Sequence, residues 1–292
     1  MNPSSRYDNF NALRRDPVLL EWTANAQVLD AVLEFPADGI WFAGHFPGFP
    51  VLPGVAQLFF VRKFARKAFG DFPDAGMYRR IKFMRPVRPG ERVALTVARK
   101  GENAFAFSMS VGEAPASSGE IAKSCGGAGA MERGSEGAME CGNDALLDLL
   151  PHRPPMRMLA GVLEVGDGVG RAIADTSQES VFHDSEAGGV PACVALEYMA
   201  QTVALAVGES RRSRGAPPRA GFLLGTRRME VNVDAFASGR RYSTVAKCTY
   251  ADDESGSFDC TVIGPGGELA ARAALTAYQL SDGMLNSARS PH

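Results

Sequence analysis

The 292-residue sequence predicts an α+β protein built from two similar units, each an antiparallel sheet wrapped around one central helix. Three observations carry that expectation. Each half has one long helical stretch near its start, and several strand-like runs follow it. A Gly- and Ala-rich joint at residues 125–142 separates the halves. The joint has neither helical nor strand periodicity and too little apolar surface to offset its ordering entropy, so it reads as a flexible linker. The domains are therefore expected at 1–124 and 143–292. With 45% hydrophobic and 22% charged residues, the chain has the balance of a globular protein with material for two ordinary cores.

In the first domain an extended region, Ala24 to Glu34, leads to a loop from Gly44 to Gly54 that holds His45 among three prolines and three glycines. A helix follows. Val55, Leu58, Phe59, Phe64, Ala65 and Ala68 mark one side, and the Arg62/Arg66 and Lys63/Lys67 pairs at i, i+4 mark the other as its solvent face. Strand-like runs come next at Met77–Met84, Glu91–Lys100, Ala104–Val111 and Ser118–Lys123. The second domain opens with a short helical turn, Asp144 to Leu150, stopped by Pro151. Runs at Gly161–Val165 and Gly168–Thr176 precede a helix from about Pro191 to Glu209. Strands are then expected at Gly221–Val233, Arg241–Tyr250, Ser257–Ile263 and Glu268–Tyr278.

Composition also excludes. A formal charge of −2 argues neither for nor against a nucleic-acid partner, and none is expected; the first 124 residues carry +4 and the rest −6. Five cysteines, Cys125, Cys141, Cys193, Cys248 and Cys260, form no CxxC pair and are an odd number, against both a zinc ribbon and a disulfide framework. The N-terminus lacks the pattern of a signal peptide. The apolar run from Ala192 to Gly208 is short for a membrane span and holds Glu197 and Gln201. A cytoplasmic protein without membrane insertion is the expectation.

Four histidines leave three internal candidates, His45, His152 and His183. His45 sits in the rigid loop, and Pro53 stands where a helix starts, so the Gly54 amide would point from a positive helix end. A base beside such an amide suits proton abstraction next to a thioester carbonyl; the bland alternative is a histidine that caps a turn. Glu197 is the one charge in an apolar helix beyond its first turn, so burial should raise its pKa, and Gln201 one turn later could orient it. A salt-bridged core residue is the alternative. His152, directly after a helical turn, reads as structural. Residues 62–100 hold twelve Lys and Arg against three Asp and Glu, either a solvated face or a landing site for an acidic partner. The stacking aromatics of a single-strand binder are sparse there.

The run Gly44-His45-Phe46-Pro47-Gly48-Phe49-Pro50-Val51-Leu52-Pro53-Gly54-Val55 closely resembles the active-site loop of the hotdog-fold 3-hydroxyacyl-acyl-carrier-protein dehydratases. The runs Leu149 to Met156 and Leu196 to Gln201 are similar to other parts of that family. The pairing of two diverged copies resembles the two dehydratase-type proteins of aryl polyene biosynthesis joined in one chain. The resemblance implies a double hotdog that converts 3-hydroxyacyl thioesters on acyl carrier protein to trans-2-enoyl thioesters, in fatty acid or polyene synthesis. It implies no metal or redox cofactor. In the family the loop histidine is followed fourteen positions later by an acid, and each site takes its histidine from one hotdog and its acid from the other. Fourteen beyond His45 stands Phe59; fourteen before Glu197 stands His183, without the loop motif.

One composite site is therefore expected. His45 is its base, Glu197 its acid and the Gly54 amide its oxyanion donor. Phe59, Phe60 and Tyr198 are expected along the acyl groove, and Arg79, Arg80, Lys82, Arg85 and Arg88 at the carrier protein. The His183/Phe59 position is expected to be dead or to hold an acyl chain only, and further homo-oligomerisation is left open. A hotdog thioesterase, using the carboxylate on water, and a non-catalytic acyl-binding or scaffolding subunit are the alternatives.

Overall fold

The computed structural model describes residues 16–123, 144–216, 221–252 and 255–279. The expected linker at 125–142, Cys125 and Cys141 lie outside the described residues. The first half contains β1 (Val18–Ala24), β2 (Val28–Glu34), α1 (Gly54–Phe69), β3 (Gly76–Phe83), β4 (Arg92–Arg99), β5 (Ala104–Val111) and β6 (Ala114–Ala122). In the second half are β7 (Leu159–Gly166), β8 (Val169–Ala174), β9 (Gly189–Pro191), α2 (Ala195–Arg212), β10 (Gly221–Val231), β11 (Ala235–Ala237), β12 (Ser243–Ala251), β13 (Ser255–Ile263) and β14 (Leu269–Gln279).

Twelve of these strands form one sheet in the order β1-β2-β4-β5-β6-β3-β10-β14-β13-β12-β8-β7, every described pairing antiparallel. The order reads as two matching six-strand sets that meet where β3 pairs with β10, and β9 and β11 pair apart from the sheet. The strands follow from period-2 patterning: in β4, Val93, Leu95 and Val97 point inward and alternate with outward residues. Each helix lies in the concavity of its own set. Val55, Leu58, Phe60 and Val61 of α1 and Leu196, Tyr198, Met199 and Leu205 of α2 are fully buried, each side chain worth roughly 1.5–3 kcal/mol relative to exposure.

Two elements differ from the sequence reading. The extended region is a hairpin: β1 precedes it, and the turn is held by Asn25 Oδ1, which accepts from the Gln27 and Val28 amides at 2.8 and 2.9 Å. As an edge strand β1 is exposed along almost its whole length, so no alternation marks it; only Trp22 turns in, against Phe64 at 5.8 Å. Arg62, expected on the solvent face of α1, is buried.

The seam leaves no room for a side chain at Gly225. Its φ is +143°, and an added Cβ would lie 1.9 Å from the Ile81 carbonyl oxygen on β3. Gly225→Ala should therefore destabilise the chain by about 2–4 kcal/mol, since either strained backbone or a pried seam must result; denaturant unfolding of the two proteins checks this.

Candidate active site

Loops and both helices, with strands of the second half, border a cavity of about 520 Å³, lined by His45, Phe46, Gly54, His152 and Glu197 among others. The loop carrying His45 is folded back on itself: Val51 N–H donates to the His45 carbonyl at 2.9 Å, and His45 Nδ1 lies 3.0 Å from the Val51 carbonyl. A carbonyl only accepts, so Nδ1 carries the proton and Nε2 keeps its lone pair. Gly44, at φ +78°, permits the loop to lie against the other half: a Cβ there would fall 2.0 Å from the Arg153 carbonyl oxygen, and Arg153 N–H donates to the Gly44 carbonyl at 3.0 Å. The two halves thus meet backbone to backbone beside the base.

Pro53 and Gly54 open α1, whose first turn holds no acidic side chain. The amides of that turn have no intrahelical acceptor and face the cavity end. A Cβ at Gly54 would come within 2.7 Å of the Phe83 ring, so only glycine fits between that ring and the helix start.

Glu197, expected beyond the first turn, projects from the first turn of α2 into the same cavity, because a separate turn at Ala192–Val194 precedes the helix, and it is buried. Burial pushes its carboxyl up to about 7, against the pull of the Gln201 amide, which donates to Oε1 at 2.7 Å. Burial likewise pushes the His45 ring down to about 4, overcoming the Val51 carbonyl. Near neutrality the cavity therefore holds a neutral imidazole and a carboxyl that retains much of its proton, the two states that general base and general acid require.

His152, expected to be structural, stands between them. Its ring lies 5.4 Å from the His45 ring and 4.9 Å from that of Phe46, and its Nε2 is 3.5 Å from Glu197 Oε1. Burial first, then the neighbouring His45 and Arg153 charges, hold this ring well below its usual pKa, so the contact with Glu197 is not an ion pair. The available signal was its setting, Pro-His-Arg-Pro-Pro, as proline-rich as the base's own loop.

The expected groove residues lie elsewhere. Phe59 and Phe60 pack in the core against Trp41, and Tyr198 is buried with its hydroxyl donating to the Asp175 carbonyl at 2.7 Å. None of the three lines the cavity, because each is packed into the core on another side of its helix. A different stripe does: Ala200, Ala204 and Val207 of α2, with Leu223, Phe258 and Leu275 opposite, ending at Arg211 and Arg214. Of the basic cluster, Arg85 lines the cavity and pairs with Glu91 at 2.6 Å, and Arg88 lies over the Phe49 ring. Arg79, Arg80 and Lys82 are exposed on β3, Arg80 paired with Glu120. Among the described residues no group of three or more His, Cys, Asp or Glu could hold a metal ion, and no helix is long and apolar enough to cross a membrane.

With this geometry in view, comparison with known proteins is direct. Residues 21–120 match the ApeI-like family of ApeI dehydratases, and residues 145–287 match the ApeP-like family of ApeP dehydratases. The chain belongs to these two dehydratase families in tandem. A 117-residue stretch, 35% of the chain, is 29% identical to 76% of the 3-hydroxyacyl-[acyl-carrier-protein] dehydratase FabZ of Chlamydia trachomatis serovar D. The dehydratase domain of RzxB from Pseudomonas fluorescens superposes with a TM-score of 0.66 at 14% identity, over 90% of this chain and 99% of that one. That of PpsC from Mycobacterium tuberculosis does so at 0.65 and 14%, over 90% and 98%. The fold is a double hotdog.

The tandem dehydratase is asymmetric at its second, reciprocal position. Counting from Pro53 and Pro191, Glu197 corresponds to Phe59, and Ala200 and Ala204 to Arg62 and Arg66. Phe59 meets Phe182 at 5.6 Å, closing the place of an acid with ring contacts. Arg62 fills what is groove on α2: it pairs with Asp74 of its own half and, at 2.7 Å, with Asp184 of the other. Arg66 reaches Asp74 as well. His183 is half-buried and lines neither this position nor the cavity. Removing a buried cation from two carboxylates strands their charge, so Arg62→Ala should cost about 3–5 kcal/mol. Denaturant unfolding should also find the loss largely recovered when Asp74→Asn and Asp184→Asn accompany it.

Proposed function

We propose that this tandem hotdog dehydrates 3-hydroxyacyl thioesters carried on acyl carrier protein, giving trans-2-enoyl thioesters, at one site shared by its two halves. The observation that carries the proposal is the pairing of a neutral, buried His45 with a free Nε2 and a buried Glu197 held up to about 7 on the same cavity. His45 Nε2 takes the proton from C2, and the Gly54 amide at the start of α1 stabilises charge that develops on the thioester oxygen. Glu197 gives its proton to the C3 hydroxyl as the C3–O bond breaks, and water leaves. The acyl chain lies along Ala200, Ala204 and Val207, small enough to admit it beside α2. A cytoplasmic setting and an acidic carrier docking on the Arg79–Arg88 region complete the reading, supported by the exposed basic side chains on β3.

The test is to offer (3R)-3-hydroxyacyl and trans-2-enoyl thioesters separately. Reversible hydration and dehydration are expected; release of free acid would instead identify a thioesterase, and no turnover a binding subunit. His45→Ala and Glu197→Gln should each lower kcat by roughly 10²–10⁴-fold, the usual range for a positioned acid or base. In the intact protein kcat/KM should fall above about pH 7, where Glu197 loses its proton, and below about pH 4, where His45 gains one. Initial rates across that range check both limbs.

Charge reversal at Arg79, Arg80 and Lys82 should raise KM for carrier-bound substrate and spare the same acyl group on a small thiol. The effect should shrink with added salt, because exposed charges are screened within about 10 Å at 0.1 M. Steady-state kinetics on both substrates at two salt concentrations decide it; equal losses on both would remove this surface from carrier recognition.

A further inference from the structure

Two groups, and not one, converge on a single oxygen of Glu197. Gln201 Nε2 donates to Oε1 at 2.7 Å, and His152 Nε2 stands 3.5 Å from the same atom. Gln201 cannot turn over: Nε2 also donates to the Met156 carbonyl at 2.8 Å, and its oxygen accepts from the Met158 amide at 2.8 Å. Oε1 must therefore accept. The tautomer of His152 follows from its other nitrogen, because Nδ1 is buried and has no partner. A stranded buried N–H is rarer and costlier than a stranded lone pair, so the proton belongs on Nε2, facing Oε1. The remaining titratable groups nearby are His45, whose ring is tilted against that of His152, and Arg153, whose guanidinium is turned onto the Leu150 and His152 carbonyls at 2.6 and 2.9 Å.

We propose that His152 is a positioning residue for the acid: with Gln201 it occupies Oε1 and so keeps the transferable proton of Glu197 on Oε2. This rests on the dehydratase reading. When the C3–O bond breaks with its electron pair, the Oε2 proton moves to the departing oxygen and forms water. The charge left on the carboxylate spreads to Oε1, where two N–H groups already stand. His152 neither gains nor loses a proton in the step.

Two substitutions separate this role from simple packing. His152→Phe keeps a ring of similar size and removes the donor; His152→Gln keeps an N–H near the reach of Nε2. In protein labelled with ¹³C at glutamate carboxyls, the Glu197 signal is identified by its loss in Glu197→Gln and titrated by NMR. His152→Phe should move that titration up by about one pH unit and lower kcat for dehydration by roughly 10-fold, with KM little changed. His152→Gln should return both to within a few-fold of the original protein. An unmoved Glu197 titration in His152→Phe would overturn the proposal. So would a Gln variant as inactive as His45→Ala, which would put His152 in contact with the reacting atoms. Should the Phe variant fail to fold, His152→Met removes the donor in its place. Because the titration needs no turnover, it gives its answer even where the substrate class fails.

Discussion

When β3 pairs with β10, two six-stranded sheets become one surface, and every distance in the active site follows from that register. The pairing sets each helix in its own half of the curve and brings the His45 loop to the other half's Pro151–Pro155 segment. Glycine makes the approach possible at both ends. Gly225 admits the Ile81 carbonyl in the seam, and Gly44 admits the Arg153 carbonyl beside the base. With backbones in contact, side chains of moderate length from opposite halves reach one cavity. The proposed site thus draws on both halves, with His45 from one and Glu197 from the other.

Burial acts in opposite senses on the two reacting groups, because it disfavours whichever form is charged. It lowers His45 to about 4 and raises Glu197 to about 7. The order matters for turnover. In the proposed reaction, one dehydration leaves a proton on the weaker base, His45, and removes one from the weaker acid, Glu197. A gap of about three pH units then favours return of a proton to Glu197 and its loss from His45, roughly 4 kcal/mol toward the reactive state. The resting enzyme is thus the state ready for substrate.

Much of this was legible in the sequence. Most strands of the large sheet from β3 onward were expected from their apolar runs and turn residues, although the short β9 and β11 were not, and β5 was read to the residue because Phe105, Phe107 and Met109 all face the core. Edge strand β1 was hidden because exposure on both faces erases the period that reveals a strand. His45 and Glu197 were found because a rigid loop and a lone carboxylate in an apolar helix are local anomalies. His152 was missed, since what distinguishes it is a contact between distant segments. Arg62 was misread for the same reason: its i, i+4 spacing with Arg66 fits a wet face, while the carboxylates that make its burial tolerable come from residues 74 and 184. The groove lining was misassigned because apolar character does not say which side of a buried helix faces sheet and which faces cavity.

The Arg62 cluster also bears on which halves can associate. Asp184 of the second half finds a cation only because α1, and not another α2, lies opposite. In a pair of second halves, the residue at the position of Arg62 would be Ala200, and each Asp184 would enter a tight interface with no counterion. Asp184 is only partly buried, but without the cation its charge would weaken that contact. Only the mixed pair sets this cation against Asp184, which favours it over self-pairing of the second half. A side chain that fills one of two related positions thus also ties the two halves together.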